Sequence, residues 1–450
     1  MTRLGTLGSP LRGSVDPSGM ITLDSGAIVS WLIGADDRWH DPAAKSAVRQ
    51  HDIDGMPVVE TAMRIPSGDA VHRVWAARSA NGIDAAVVEI ANESAVPVAL
   101  AIVVDAIQPI EFTGTTVNIA GVPTLSFVKA PMRFAVGSPA EVRAVITSGS
   151  AATTWRVPAD SVRRRSRSIE RSSAGFVFPL THRTTSRFIV GFGDGVGAPD
   201  SYAGMDAVKR GWTAHLSVGV RVELGDPPGE QTFTRARVEA LLGESSGSAV
   251  EQLCSWGLID DAVGMLRRLT YLGASPADRV IGAGACWRMH RRMVDTEGLD
   301  ALAASVVRKR AKLGHHSASA AADALDALGQ HDAASKVRAD LDQPWRDVLI
   351  VGGTLATSLV TSTDQETGQP SGEIDIIPDA AMLVPGRDMA VYDWPTAFGK
   401  FGFAVRWHGE FPALLWTLEP HSGEPLVTIR SSAAAPDWSS TAPSGETLLR

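Results

Sequence analysis

The chain has 450 residues, 44% hydrophobic and 20% charged, with a formal net charge of -8 and a sequence pI near 5.8. That length exceeds one ordinary core, so two or three domains are expected, and the balance of apolar to charged residues excludes disordered and fibrous classes. The net negative charge offers nucleic acid no attractive field, so no nucleic-acid partner is expected.

Residues 1–19 contain no apolar run suited to a signal-peptide core. The longest apolar run, 96–104, is interrupted by Pro97 and ends at Asp105, far short of the ~20 residues of a membrane helix. A cytoplasmic location with no membrane partner is the expectation. From about residue 20 the hydrophobic period is two. Val59, Thr61, Met63 and Ile65 alternate with their neighbours, as do the stretches 87–90 and 188–192. Ala214, Leu216, Val218, Val220 and Val222 likewise alternate with Thr213, His215, Ser217, Arg221 and Glu223. Such alternation marks half-buried strands, and regular Gly, Pro, Ser and Asp punctuation gives the spacing of a large antiparallel sandwich. Residues 1–230 are expected to form one β-domain. Within it, the run Arg163-Arg164-Arg165-Ser166-Arg167 reads as a solvated loop. Gly191-Phe192-Gly193-Asp194-Gly195 lacks the following helix that a dinucleotide loop requires.

The period changes after the Pro-rich break 225–229. Helices are expected over 234–243, 248–256, 259–272, 275–294, 299–313, 317–328 and 331–341. Ser275-Pro276-Ala277-Asp278 is a start signal, with an N-cap serine, proline at the first helical position and an acid at the third. Gly273, Gly298, Gly314 and Gly329 stand where helices should stop. Residues 231–345 therefore read as an all-helical domain, in which Cys254 and Cys286 are expected to be reduced core thiols. Gly257-Leu258-Ile259-Asp260-Asp261-Ala262 is echoed 72 residues later by Gly329-Gln330-His331-Asp332-Ala333-Ala334, about two periods of a helical-hairpin repeat. Strands return after Pro344. Phe401, Phe403, Val405 and Trp407 share one face, Leu414, Trp416 and Leu418 continue the pattern, and 361–372 reads as a polar loop.

Residues 375–419, DIIPDAAMLVPGRDMAVYDWPTAFGKFGFAVRWHGEFPALLWTLE, combine an Ile-Pro start, a Gly-x-Asp strand (Gly386, Asp388), an aromatic-Pro turn (Trp394-Pro395) and a strand ending in Arg406-Trp407-His408-Gly409. This layout resembles the C-terminal β-sandwich cap of bacterial six-hairpin (α/α barrel) glycosidases of glucoamylase or glycogen-debranching-like architecture. Those enzymes place a super-sandwich before the helices, and the order of segments here is similar. Stretches 31–42 and 57–76 fit such a sandwich. The resemblance implies a multidomain β and α fold: an N-terminal β-sandwich (1–230), a reduced all-α helical-hairpin domain (231–345) and a C-terminal β-sandwich cap (346–450). The middle part is short, because a ring of six hairpins needs roughly 180 residues at about 11 per helix and about 4 per connection.

The chemistry implied by the resemblance is a pair of carboxyl groups about 5 to 9.5 Å apart across a glycosidic bond. Asp260 and Asp261 after Gly257, and Asp295 and Glu297 before Gly298, are the candidate acids in apparent loops. Asp278 serves a helix start, while Asp323, Asp326 and Asp332 fit solvated helix faces. For carbohydrate contact the candidates are Asp36, Asp37 and Trp39, where an indole could stack on a sugar while the acids take its hydroxyls. The alternative is a Trp plugging the sandwich edge. Trp256 lies near the first acid pair, and Trp394 is expected to be the accessible indole of the cap, with Trp407 and Trp416 in its core. No cofactor and no metal are expected: there is no Walker motif, Gly-x-Ser-x-Gly elbow or His-Glu-x-x-His. His315-His316, expected in a loop, has no further ligands nearby in sequence.

Three functional readings follow. The leading one is a carbohydrate-associated, glycosidase-like protein, non-catalytic or vestigial, whose partner is an oligosaccharide or polysaccharide. The second is an active glycoside hydrolase on an α-glucan or related oligosaccharide, and the third is a helical-repeat interaction scaffold. Oligomeric state is left open.

Overall fold

In the computed structural model, which describes residues 1–156, 171–193, 195–292, 299–313, 315–339, 348–350, 358–363, 370–423 and 426–449, the alternating stretches of the first half form two eight-stranded antiparallel sheets. The first sheet runs Thr2–Leu4, Gly13–Val15, Ile21–Leu23, Ile28–Ala35, Val98–Ala106, Ser172–Leu180 and Arg133–Gly137, with Arg38–His40 beside Ile28–Ala35. The second runs Ile110–Thr113, Thr116–Ile119, Val122–Phe127, Thr185–Gly191, Asp84–Asn92, Gly68–Arg78, Val58–Ile65 and Val48–Asp52. Trp31, Ile33, Leu100, Ile102 and Phe176 from the first sheet meet Met63, Val74, Val88, Ile90 and Phe188 from the second in one core.

Because side chains alternate along a strand, Leu32, Ala101 and Val103 point the other way. Helix α1 (Pro139–Thr147) covers them with Val142 and Ile146. Its start is a capping box between Ser138 and Glu141, a signal the strand reading passed over. Gly175 lets it settle, since a Cβ there would stand 2.4 Å from Ile146.

The strand expected over 213–223 is a correction. Residues Met205–Leu216 form helix α2, whose buried Trp212 and Leu216 are four residues apart, and only Arg221–Glu223 is extended. Alternation over a few residues satisfied the strand template, but the longer apolar stripe from Val208 through Trp212 to Leu216 has helical spacing. The chain divides into two compact units, Met1–Trp212 and Thr213–Arg450.

In the second unit the helices are α3 (Pro227–Leu242), α4 (Gly247–Ser255), α5 (Ile259–Tyr271), α6 (Pro276–His290), α7 (Leu299–Lys309), α8 (His315–Ala327) and α9 (His331–Arg338). The Pro-rich break is itself the start of α3, with prolines in its first turn, where a missing N–H costs nothing. His315 and His316 open α8 rather than lying in a loop. Gly257 and Gly329, with φ of 72° and 78°, precede α5 and α9 in the same way, which accounts for the sequence echo.

Two five-stranded sheets complete this unit. One comprises Arg221–Glu223, Met389–Pro395, Gly399–His408, Phe411–Pro420 and Ser444–Leu448. The other comprises Val348–Ile350, Ser358–Thr363, Pro370–Ile376, Thr428–Ser431 and Ala435–Ser440. Strands thus occupy both ends of the expected polar loop 361–372, whose middle lies outside the described residues, as does the run at 163–167. Phe401, Phe403 and Trp416 of the first of these sheets share a core with Ile374, Ile376 and Ile429 of the other, and with Phe233 and Trp256 from the helices. The chain is thus a multidomain protein of β and α structure. Among the described residues no helix is long and apolar enough to cross a membrane.

Arg237 of α3 is buried at the start of this unit. Its Nη1 donates to the carbonyls of Leu216, at the end of α2, and Val220, at 3.1 and 2.9 Å, and its guanidinium lies 4.5 Å from the Phe233 ring. Burial lowers its pKa to about 10, so it stays charged at neutral pH. The negative end of α2 receives that charge.

Helix α6 packs closely on its neighbours through small residues. A Cβ on Gly284 would stand 2.3 Å from the Ala324 Cβ of α8, one on Gly282 3.0 Å from Val250 and Leu266, and one on Gly247 of α4 2.6 Å from the Asp278 carbonyl. Gly264, in the middle of α5, faces open space. Gly284→Ala is therefore expected to lower stability by about 1–3 kcal/mol through overpacking. Gly264→Ala should raise it by up to about 1 kcal/mol. Urea denaturation of the two variants checks this, and equal effects would refute it.

In the first unit, His72 is buried and stacks on Trp31, with ring centroids 5.5 Å apart. Burial pushes its pKa down to about 4 from an ordinary 6.5. The unfolded chain therefore binds a proton that the folded chain refuses. Stability from this site is complete above pH 6.5 and lost as pH falls through 4, by about 3 kcal/mol in all. Between pH 7 and 4, wild type should lose that much more than His72→Phe, which keeps a stacked ring and cannot titrate. Parallel denaturation curves at each pH are the measurement.

Candidate functional site

The described candidate acids lie where α4 ends, α5 begins and α6 ends. Trp256 caps α4, Gly257 turns the chain with positive φ, and α5 starts two residues later. The last residues after α2 run alongside: Val220 N donates to the Trp256 carbonyl at 2.8 Å, and a Cβ on Gly219 would meet that carbonyl at 2.3 Å. Glycine is needed at 219 for this approach.

Asp260 and Asp261 occupy the first turn of α5, a setting that favours acids by the helix dipole. Their side chains take different partners. Asp261 Oδ2 lies 2.9 Å from Nε2 of His215, at the end of α2. Asp260, 83% exposed, accepts from Arg292 Nη1 at 2.6 Å. Glu251 of α4 forms a third pair, accepting from Arg288 Nη2 of α6 at 3.1 Å, and this pair is buried. Asp295 and Glu297 lie outside the described residues. Among the described residues no group of three His, Cys, Asp or Glu side chains is placed to hold a metal ion.

The hydrogen bond that Asp261 accepts, with its charge, raises the pKa of His215. His290, at the end of α6, is pushed down, chiefly by burial and further by the cationic neighbours Arg292 and Lys400. His290 Nε2 lies 2.8 Å from the Cys254 carbonyl. A carbonyl only accepts, so Nε2 carries the proton. Across α4 and α6, the sulfurs of Cys254 and Cys286 are 3.6 Å apart. The sequence reading missed His215, Glu251, Arg288 and Arg292. A signal was present for the buried pair: Glu251 lies between Val250 and Leu253, and Arg288 between Cys286 and Met289, so each charge is set among core residues.

The aromatic candidates separate. Trp394, expected to be accessible, is only 2% exposed and fills the core between the two five-stranded sheets, its Nε1 with no partner among the described residues. Trp256 is 6% exposed and packs edge-on against Phe233. Both close a core, as large apolar rings do when strands and helices converge on them. Trp407 is half-buried, with Nε1 donating to the Arg387 carbonyl, and Trp416 lies in the core. Asp36 and Asp37 form the tight hairpin turn after Ile28–Ala35, with φ of 49° and 57°, and both are exposed. Trp39 is half-buried beside them, packed over Gly34.

No protein-family model and no curated protein matches the chain. Among solved structures, it is similar to a kojibiose phosphorylase-like protein from the human microbiome, with a TM-score of 0.37 and 7% identity over 74% of this chain and 61% of that one. It is also similar to a GH92-family glycosyl hydrolase, with a TM-score of 0.28 and 10% identity over 75% of this chain and 53% of that one. The chain thus spans less than two thirds of either protein, and neither score establishes a shared fold.

The His215–Asp261 pair sets a pH dependence opposite to that of His72. A raised folded pKa means its contribution is complete below pH 6.5 and lost as pH rises through the folded value. Both side chains are partly open to solvent, so screening keeps the gain below about 1 kcal/mol. Asp261→Asn should remove the difference between stabilities at pH 6 and 9 that this pair supplies, while Asp260→Asn should leave it in place. Equal pH profiles for wild type and Asp261→Asn would disprove the assignment.

Proposed function

We propose that this is a carbohydrate-associated protein with the layout of a six-hairpin glycosidase, in which sandwich, helical segment and second sandwich correspond to super-sandwich, reduced barrel and cap, and that it does not hydrolyse glycosides. The order of the described elements supports the layout. One observation carries the loss of hydrolysis. Glu251, Asp260 and Asp261, the described acids at this end of the helices, are each held by a basic side chain, Arg288, Arg292 and His215. Hydrolysis needs one carboxyl group that keeps its proton and a second across open space from it. Adjacent residues on one helical turn, tied to separate basic side chains, do not supply that pair.

The carbohydrate contact in this reading is the Asp36, Asp37 and Trp39 hairpin. There exposed carboxylates stand beside an incompletely covered indole, the combination that takes a sugar's hydroxyls and its apolar face.

Two measurements test the proposal. The purified protein should release no sugar from maltose, isomaltose, trehalose or nitrophenyl glycosides. Turnover that disappears in Asp295→Asn or Glu297→Gln would instead make it an active hydrolase. Titration calorimetry with soluble α-glucans should show binding that Trp39→Ala weakens about tenfold, or ~1.4 kcal/mol. Wild-type protein that binds none of them would remove the carbohydrate reading.

A further inference from the structure

Cys254 lies one residue from the end of α4 and Cys286 in the last turn of α6, and both are fully buried. Their sulfurs are at van der Waals separation, 3.6 Å, with both thiols free. Contacts along the two helices hold them there. Gly247 admits the Asp278 backbone at one end, and Gly282 admits Val250 midway. Glu251 and Arg288 bridge the helices at 3.1 Å, and His290 donates to the Cys254 carbonyl beyond the sulfurs. The thiols are therefore opposed by the packing itself.

We propose that Cys254 and Cys286 form a redox site, which a peroxide converts into a disulfide that staples α4 to α6. This inference is independent of the carbohydrate reading. Cys286 supplies the nucleophile: its contact with the Cys254 sulfur, and then the Arg292 charge, favour its thiolate against the opposing effect of burial. Cys254 is held protonated by its contact with the Cys286 sulfur and by burial. The Cys286 thiolate attacks one peroxide oxygen, breaking the O–O bond and giving a sulfenic acid, with the released hydroxide protonated to water. Cys254, giving up its proton, then attacks the sulfenic sulfur, forming the S–S bond and expelling a second water. Two thiols and one hydrogen peroxide thus become one disulfide and two waters, the sulfurs oxidised and the peroxide reduced. Forming the bond brings the sulfurs from 3.6 Å to about 2.0 Å. The new bond encloses α5 with Asp260 and Asp261.

The test uses the full chain, reduced, treated with hydrogen peroxide under native conditions and then denatured in excess maleimide. Intact mass should show a monomer that has lost two hydrogens and takes no maleimide, and non-reducing peptide mapping should show a Cys254–Cys286 cross-link. The sequence contains two cysteines, so an intramolecular disulfide can be no other. The apparent Tm should rise by about 5–10 °C, reversibly with dithiothreitol, and Cys254→Ser and Cys286→Ser should each show no rise. The proposal fails if two maleimides are still taken up, if only sulfinic or sulfonic acids or intermolecular dimers form, if the disulfide appears only in denaturant, or if it forms without a change in Tm.

Discussion

The second unit is organised around a charge placed where water cannot reach it. Arg237 is tolerated in the interior because its guanidinium meets the exposed carbonyls at the end of α2 and the Val220 carbonyl beyond. The Leu216 carbonyl at the helix end also accepts from Gly219 N, and Arg237 adds a charged donor to it. The arrangement fixes the path of residues 216–224, which deliver Val220 and Leu224 to the core. That path brings His215 to Asp261 and lays Gly219 against Trp256. Loss of the guanidinium would take a donor from both the Leu216 and the Val220 carbonyl, leaving Leu216 with Gly219 N.

The same economy of charge runs through the ends of the helices. A buried ion such as Glu251 or Arg288 is costly without a partner, because desolvation exceeds what a solvated pair would return. The partner must then be on the neighbouring helix, which ties register to electrostatics. In α6 this requirement coincides with close approach at Gly282 and Gly284. The helix can neither slide, because Arg288 would leave Glu251, nor move outward, because its small residues would lose their contacts. Opposed cysteines are a by-product of that fixed register.

Much of this was legible in the sequence. The helices from α4 to α9 begin and end within a few residues of where caps, prolines and glycines place them, since those signals act locally. The large sandwich was legible for the same reason, through period-two alternation. What failed was the region from 205 to 230, where a short alternating run hid the longer helical stripe of α2 and two prolines read as a break rather than a first turn. The candidate site was legible only in part. Asp260 and Asp261 were found, but their partners His215 and Arg292 are 46 and 32 residues away, and nothing local announces such pairings. Trp394 was misplaced because a turn-like Asp-Trp-Pro context says nothing about what packs above the indole.

The strand Arg221–Glu223 has a consequence for how the chain is made. It pairs with Met389–Pro395, and Glu223 bonds to a tyrosine 169 residues later. At roughly 5–20 residues per second on the ribosome, that partner emerges about 10–30 s after the strand itself. During that interval the helices can assemble from local contacts, whereas the strand edge has no mate. Nascent chains at this stage present an unpaired edge, the kind of surface that chaperones bind and that neighbouring chains can capture. Elongation through residues 224–389 is thus the interval in which this edge waits for its partner.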